Sequence, residues 1–319
     1  MTLALAAGIH VSGNHLVDQA GRTVVLHGVN RSGAEYACVQ GWGIFDGPVD
    51  AGAVAAIAAW HVNAVRVPLN EDCWLGINGV KPQYAGAAYR GAIAGFVSRL
   101  NAAGIVAILD LHWNAPGAAR ATGQQQMPDK SHSIAFWRSV AATFRTNRSV
   151  VFDLYNEPHD VSWQCWRDGC GPWAGMQQLV TAIRATGARQ PLMLGGLAWS
   201  NDLSEWLRYE PRDPAHQLVA SFHLYNFNTC ADASCWNATV RPVAARVPVV
   251  TGELGENDCA HGFIDTYMPW ADAAGISYLG WTWDTWNCSS GPALISGYDG
   301  TPTPFGAGFE AHLAALHGG

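Results

Sequence analysis

The chain has 319 residues, enough for one large domain or two small ones. Its 18 Lys and Arg residues against 25 Asp and Glu residues give a formal net charge of −7, so the basic surface that nucleic-acid binding needs is missing. An apolar content of 49 % with only 13 % charged residues excludes extended disorder.

The first residues predict neither a leader nor a membrane anchor. Residues 1–8 lack a basic start and have only a short apolar run, so we expect them to begin a mature chain. No run of about 18 uncharged apolar residues occurs, so no membrane span is predicted. Residues 9–17 and 22–25 flank a turn-like segment at 18–21, and this pattern predicts a small β-hairpin at the bottom of the fold.

Short apolar runs alternate with Ala-rich helical segments in the rest of the chain. The runs predict eight strands, at residues 24–30, 64–68, 106–112, 150–157, 191–196, 218–225, 248–254 and 277–284. Helices are predicted between them, for example at 51–60, 87–103, 133–145 and 176–186. This alternation indicates a parallel sheet buried on both faces. We therefore predict an α/β fold, a single (β/α)8 TIM barrel spanning residues 1–319, with no separate binding module.

Polar side chains stand at the carboxyl ends of most predicted strands, where barrel enzymes place their active sites. They are Asn30, Arg66, Asp110, His112, Asn156, Glu157, His223, Tyr225, Glu253 and Asp284. Glu157 and Glu253 follow apolar strands directly, so they are predicted to meet across the barrel mouth. Two facing carboxylates are the minimum equipment for glycoside hydrolysis, one as ionised nucleophile and the other as protonated acid.

Other carboxylates and other chemistries compete with this interpretation. Glu256 lies three residues beyond Glu253, and we prefer Glu253 because it ends an apolar run. The pair Asp110-x-His112 could bind a metal, but no His-Glu-x-x-His cluster is present. A serine hydrolase is disfavoured, because the sequence contains no Gly-x-Ser-x-Gly motif. A non-catalytic sugar-binding barrel is the alternative from a different class.

Six segments at these strand ends resemble glycoside hydrolase family 5, the cellulase family. They are Asn-Ala-Val-Arg-Val-Pro at 63–68, Leu-Asp-Leu-His-Trp at 109–113, Leu-Tyr-Asn-Glu-Pro at 154–158, Phe-His-Leu-Tyr at 222–225, Gly-Glu at 252–253 and Gly-Trp-Thr-Trp at 280–283. They occur in the family's order and extend over nearly the whole chain. The resemblance implies a retaining double displacement, with carboxyl groups roughly 5–5.5 Å apart.

The resemblance also implies a role for each matching residue. Glu253 would be the nucleophile, and Glu157 would be the acid in the first step and the base in the second. The supporting residues would be Asn156 at the sugar 2-hydroxyl, Arg66 and Tyr225 at Glu253, His112 and His223 beside the substrate, and Trp283 as the stacking floor.

The implied activity is that of a secreted endo-β-1,4-glucanase, a monomer that needs no cofactor and no metal. Its partner would be a β-linked polysaccharide or oligosaccharide, with no nucleic acid and no membrane. A β-mannanase and an exo-acting β-glucanase or β-glycosidase of the same family stay open, because the sequence does not separate an open cleft from a closed pocket.

The eight cysteines are an even number, which permits a complete disulfide framework. A Cys-x4-Cys spacing occurs twice, and short-range pairing there leaves four cysteines over. Among 105 connectivities we predict Cys38–Cys73, Cys165–Cys170, Cys230–Cys235 and Cys259–Cys288. A zinc site is the alternative, although the Cys-x2-Cys spacing of zinc ribbons is absent. Disulfides indicate an oxidising compartment and hence secretion.

Tryptophan is unusually frequent, at 15 of 319 residues, and its flat ring suits stacking on sugars. Nine tryptophans follow predicted strand ends and would line the barrel mouth: Trp42, Trp74, Trp113, Trp163, Trp166, Trp199, Trp281, Trp283 and Trp286. Trp42 and Trp113 are predicted to bind substrate. Four others lie in predicted helices and are assigned to packing: Trp60, Trp137, Trp206 and Trp270.

Overall fold

Eight parallel strands close into a barrel in the computed structural model, which describes residues 8–289 and 291–318. The strands of the chain are β1 (Ile9–Ser12), β2 (His15–Asp18), β3 (His27–Asn30), β4 (Ala64–Asn70), β5 (Val106–Trp113), β6 (Val150–Asp153), β7 (Leu192–Gly195), β8 (Leu218–Tyr225), β9 (Val249–Gly255) and β10 (Ser277–Gly280). Strands β3 to β10 follow one another around the barrel, and β10 pairs with β3. The predicted TIM barrel is confirmed. The predicted start of a mature chain, residues 1–7, lies outside the described residues.

Helices cover the outside of the barrel and shape its loops. They are α1 (Ala37–Gln40), α2 (Ala51–Ala59), α3 (Glu71–Leu75), α4 (Ala87–Ala102), α5 (Ser133–Phe144), α6 (Trp163–Asp168), α7 (Met176–Arg184), α8 (Ala233–Cys235), α9 (Arg241–Ala244), α10 (Gly262–Ala274) and α11 (Pro304–His317). Asp50 begins α2 by accepting the Ala53 amide, and Thr303 begins α11 in the same way. Among the described helices, none has both the length and the apolar character needed to cross a membrane.

The barrel strands are covered on both faces, which explains their nearly continuous apolar sequences. Every residue of β4 and of β8 is buried, because interior side chains cover one face and helices cover the other. Polar residues within these strands, such as Arg66 and His223, are therefore held away from water. Such buried polar groups need partners, and they find them at the carboxyl ends of the strands.

The N-terminal hairpin is present, but its turn is not where the sequence predicted it. Strands β1 and β2 pair antiparallel from Ile9 opposite Asp18 to Ser12 opposite His15, so the turn is Gly13-Asn14. Gly13 has a φ of +61°, which glycine adopts without a steric cost. The predicted turn at 18–21 also forms, but only an isolated bridge follows it.

Apolar side chains of this hairpin close the amino-terminal end of the barrel. Ile9 and Leu16 join a buried cluster with interior strand residues such as Ile108, Val219 and Leu279. This contact confirms the predicted position of the hairpin below the barrel and leaves the opposite end free for the polar cluster.

All four predicted disulfides form: Cys38–Cys73, Cys165–Cys170, Cys230–Cys235 and Cys259–Cys288. Each joins segments that follow the carboxyl ends of barrel strands. Cys38–Cys73 links α1 to α3, and Cys259–Cys288 links the loops after β9 and β10. Cross-links of this kind restrict the unfolded chain, and here they tie down the loops around the barrel mouth.

Candidate active site

A buried arginine is the centre of the polar cluster in the barrel mouth. Arg66, on β4, is 0 % exposed. Its guanidinium donates to Asp153 Oδ2 at 2.8 Å, Glu253 Oε1 at 2.8 Å, Asn156 Oδ1 at 2.8 Å and Asn30 Oδ1 at 3.0 Å. One side chain therefore fixes groups from β3, β6, β9 and the loop after β6 in a single arrangement.

A further carboxylate, that of Asp110 on β5, extends the cluster. Asp110 Oδ2 lies 3.0 Å from Arg66 Nη2 and 2.6 Å from His112 Nδ1. Burial lowers the pKa of His112 to about 4, and the positive charge of Arg66 adds to that effect. His112 is therefore neutral near pH 7, and Asp110 orients its ring through Nδ1.

The two glutamates predicted to be catalytic face each other across the mouth. Glu253 Oε2 accepts a hydrogen bond from the Tyr225 hydroxyl at 2.6 Å, while Oε1 accepts from Arg66. Glu157 Oε1 lies 3.0 Å from His223 Nδ1. One oxygen of each glutamate and a ring nitrogen of His223 all lie within 4.8 Å of one another.

The environments of the two glutamates differ in a way that separates their chemistry. Burial raises the pKa of Glu157 to about 7, against the opposing charge of Arg66 and with the support of Asp110. Its side chain is still 17 % exposed, so a ligand can reach it. Glu253 instead accepts two hydrogen bonds that stabilise a negative charge. The two carboxyl groups therefore differ in burial and in hydrogen-bond partners.

His223 lies between the two glutamates and is uncharged. Burial lowers its pKa to about 3, and its Nδ1 lies 3.6 Å from Glu253 Oε2 as well as close to Glu157. With its proton on Nδ1, the ring donates to a carboxyl oxygen and carries no charge.

Two residues of the cluster were not singled out from the sequence. Asp153 bonds Arg66, and burial raises its pKa well above the ordinary value; its signal was a charged residue inside an apolar run. Gln124 accepts from Asn156 Nδ2 at 2.7 Å and donates to the Glu157 carbonyl at 2.7 Å. Gln124 lies in a long loop where no periodic pattern marks it.

The structure does not support Trp283 as the stacking floor. Trp283 is 0 % exposed and packs edge-on against Trp60 at 4.8 Å between ring centroids, so its faces are not available to a sugar. Trp281, two residues earlier, is only partly buried and stacks on His112 at 5.4 Å. Trp281 is therefore the accessible indole of the two, and it lies against His112 of the polar cluster.

Two more tryptophans assigned to the mouth belong to the core instead. Trp74 and Trp166 are 0 % exposed, and their indole nitrogens donate to Ser139 Oγ and to the Gly195 carbonyl. The other six of the nine are at least partly exposed: Trp42, Trp113, Trp163, Trp199, Trp281 and Trp286. Burial of tryptophan with a satisfied N–H is an ordinary core role.

Aromatic side chains line the mouth on both sides of the glutamates. Tyr36 lies about 6 Å from the rings of Trp42, Trp113 and Trp286. Tyr36 and Trp42 follow β3, Trp113 ends β5, and Trp286 follows β10. Trp199 is 46 % exposed and Phe227 60 % exposed; they follow β7 and β8 on the opposite arc of the barrel.

Two alternative interpretations of the cluster were Glu256 as the catalytic glutamate and a metal site. Glu256 accepts the amides of Phe263 and Ile264 at the start of α10, so its carboxylate is engaged in capping that helix. The predicted metal pair Asp110-x-His112 bonds internally and to Arg66. Glu157, His223 and Glu253 have the donor atoms and the proximity for a cation, but the nearby guanidinium repels one.

Replacing Arg66 by methionine is expected to lower the free energy of unfolding by about 3–5 kcal/mol, because it leaves buried carboxylates without their counter-charge. Urea unfolding at pH 7 measures this. A change smaller than that of a surface arginine would contradict the central position of Arg66. Arg208→Met is the matched control, since Arg208 is 72 % exposed and its ion pair with Glu205 lies at the surface.

Comparisons with known proteins place the chain among carbohydrate-active enzymes. A family model described as Cellulase (glycosyl hydrolase family 5) matches residues 17–287. The mannan endo-1,4-beta-mannosidase of Streptomyces lividans is 28 % identical over 292 residues, which are 88 % of this chain and 67 % of that protein. Endoglucanase CelA of the same organism is 25 % identical over 313 residues, which are 93 % of this chain and 61 % of that protein. The chain thus spans about two thirds or less of these relatives.

Solved structures share the barrel. The β-glucanase SdGluc5_26A from Saccharophagus degradans, in complex with cellotetraose, superposes with a TM-score of 0.77 at 21 % identity. The alignment covers 97 % of this chain and 94 % of that one. At this identity the likeness is one of fold.

Proposed function

Because the chain belongs to the cellulase family, glycosyl hydrolase family 5, we propose that it hydrolyses β-1,4-glucan with retention of configuration. Glu253 is the nucleophile, and Glu157 is the acid and then the base. The observation that carries the proposal is the distance of at most 4.8 Å between one oxygen of each glutamate. An inverting enzyme keeps its carboxyl groups roughly 6.5–9.5 Å apart to hold a water molecule between them and the sugar.

The reaction proceeds in two displacements. In the first, a Glu253 oxygen attacks the anomeric carbon, the glycosidic bond breaks, and the proton of Glu157 moves to the departing oxygen. In the second, Glu157 takes a proton from water, the water oxygen attacks the anomeric carbon, and the bond to Glu253 breaks. Glu157 ends protonated and Glu253 ends ionised, as both began.

The polar cluster supports each role. Arg66 and Tyr225 donate to the two oxygens of Glu253 and fix the orientation of its carboxylate. Burial raises the pKa of Glu157 to about 7, so that this carboxyl group can carry a proton near neutral pH. Asn156 gives one amide hydrogen to Gln124, and since an amide carries two donors, the second is available to a sugar 2-hydroxyl.

The aromatic residues support an extended cleft and internal cleavage. Trp281 provides the surface for the sugar at the cleavage point. Rings on one arc, such as Trp42, and on the opposite arc, such as Trp199, can stack on sugars before and after that point. A neutral glucan needs stacking and hydrogen bonds, which agrees with the low charge of the chain.

A β-1,4-mannan is the second candidate substrate, since the Streptomyces lividans relative is named as a mannosidase. Initial rates and products on cellotetraose, mannotetraose, soluble cellulose and mannan distinguish the two. We expect cellotetraose to be cut internally and mannotetraose to be a poor substrate. Release of single sugars only, from one end, would contradict endo action.

The rate should depend on pH through Glu157. The acid must be protonated, and burial places its pKa at about 7. We expect kcat/KM for cellotetraose to be level below about pH 6, to reach half of that value near pH 7 and to fall about tenfold per pH unit well above it. A pH series of initial rates measures this limb. A fall that begins near the ordinary pKa of glutamate, about 4.3, would contradict the assignment.

The chain is proposed to work outside the cell as a monomer. Four disulfides support an oxidising compartment. Large apolar side chains exposed among the described residues are few: Trp42, Trp199, Leu207, Phe227 and Leu316. Three of them are the aromatic residues of the mouth, so the described surface offers no apolar patch of the size a stable dimer uses. Equilibrium sedimentation tests this.

A further inference from the structure

Three consecutive residues after β7 adopt a left-handed backbone conformation. Ala198, Trp199 and Ser200 have φ values of +51°, +62° and +58°, although none is glycine. Hydrogen bonds in both directions between Leu197 and Asp202, at 3.1 and 3.0 Å, close this turn. L-residues avoid this region because Cβ approaches the carbonyl oxygen, and such outliers persist where the surroundings impose them.

The turn is bonded to the backbone on both sides of Glu157. Ser200 Oγ donates to the Asn156 carbonyl at 3.0 Å. The Trp199 amide donates to the Pro158 carbonyl at 3.1 Å. The two residues that flank Glu157 in sequence are therefore both held by neighbouring residues of one turn.

The same turn holds the imidazole partner of Glu157. The His223 amide donates to the Ser200 carbonyl at 2.9 Å, and the Asn201 side chain donates to the His223 carbonyl at 2.8 Å. His223 Nδ1 in turn bonds Glu157 Oε1. Ser200 thus contacts the chain next to the carboxyl group and the chain that carries its hydrogen-bond partner.

The fold makes room for this hydroxyl and keeps water from it. Ser200 is 0 % exposed, so no solvent replaces its bond to Asn156. A Cβ on Gly195 would lie 2.3 Å from Ser200 Oγ, which is too close for any side chain. A glycine at the end of β7 is therefore required for the hydroxyl to occupy this position.

We propose that Ser200 is a positioning residue that sets the position of Glu157 for proton transfer to the leaving group. This inference rests on the proposed function, because it needs Glu157 to be the acid. Ser200 touches no substrate: its hydroxyl acts through the Asn156 carbonyl, and its backbone carbonyl holds the His223 amide. Loss of the hydroxyl removes the bond to Asn156 and frees the backbone that precedes Glu157, while the bond to His223 stays. Proton transfer from Glu157 is therefore slowed more than the attack by Glu253.

The test compares two substrates that differ in their need for an acid. Cellotetraose releases a poor leaving group that requires a proton, whereas dinitrophenyl β-cellobioside releases a phenolate that does not. For Ser200→Ala we expect kcat/KM to fall about tenfold on cellotetraose and less than about twofold on the aryl substrate. Both rates come from one preparation, so a loss of folded protein cancels in their ratio.

Ser221→Ala is the matched control, because Ser221 is a buried serine whose hydroxyl has no partner among the described residues. In Ser221→Ala, the ratio of kcat/KM on cellotetraose to kcat/KM on the aryl substrate should equal that of the wild type. Ser200→Gly, which tolerates the left-handed conformation, replaces Ser200→Ala if the alanine variant does not fold. An unchanged ratio in the Ser200 variant, with an active wild type, overturns this inference alone. A wild type inactive on both substrates overturns the proposed function and this inference with it.

Discussion

Replacing Glu253 by alanine is expected to reduce kcat/KM for cellotetraose about 10⁵-fold, because no other group can form the covalent bond to the anomeric carbon. Arg66 and Tyr225 donate to its two oxygens and fix the carboxylate in this position. Initial rates with an excess of enzyme variant measure the loss, and circular dichroism checks that the barrel is folded.

Two observations sharpen the assignment of Glu253. Azide should enter the space left by the carboxylate and convert an activated β-cellobiosyl substrate to the α-configured glycosyl azide. Glu256→Ala is the matched control, since Glu256 is a buried glutamate three residues away whose carboxylate caps α10; the activity of this variant should stay close to that of the wild type. Full activity in the Glu253 variant would show that the nucleophile lies elsewhere.

Replacing Glu157 by alanine is expected to lower kcat/KM for cellotetraose about 10³-fold, the range that general acid catalysis contributes. On dinitrophenyl β-cellobioside the first step should proceed nearly as before, because that leaving group needs no proton. The glycosyl-enzyme then lacks its base, so azide should capture it and give the β-configured glycosyl azide, opposite to the product from Glu253→Ala.

The configurations of the two azide products test which glutamate is the nucleophile and which is the acid. If the products were exchanged between the variants, Glu157 would be the nucleophile and Glu253 the acid. Asp160→Asn is a suitable control for the Glu157 variant, because Asp160 is a nearby carboxylate that is 72 % exposed and bonds only His159 among the described residues. Its rates should match the wild type on both substrates.

The chemistry of the mouth was predictable because a parallel barrel brings the carboxyl ends of all its strands together. Once eight apolar runs were recognised, Arg66, Glu157 and Glu253 had to converge. The contact between Arg66 and Glu253 follows from residue type, since a buried guanidinium and a buried carboxylate must pair.

The choice between Trp281 and Trp283 was not predictable in the same way. Strand β10 ends at Gly280, so the alternation of side chains along a strand no longer applies to either tryptophan. The chain turns after Gly280 and places Trp283 against Trp60. Which indole faces the cleft depends on that turn and on the space beside α2.

Turn positions were the other failure, for a related reason. Both Gly13-Asn14 and residues 18–21 have turn-forming residues, and burial of Ile9 and Leu16 under the barrel decides which one joins the paired strands. The turn at Ala198–Ser200 has no local signal at all. Hydrogen bonds to Asn156, Pro158 and His223 hold it in a conformation that its own residues disfavour.

The stereochemistry of the first product is the most direct test of the central claim, that Glu157 and Glu253 act together in a double displacement. Proton NMR of a cellotetraose digest, recorded before the sugars mutarotate, distinguishes the anomers. The proximity of the two carboxylates leads us to expect the β-anomer first, with the α-anomer appearing only later. Initial release of the α-anomer would mean a single displacement by water and would contradict the assignment of Glu253 as nucleophile.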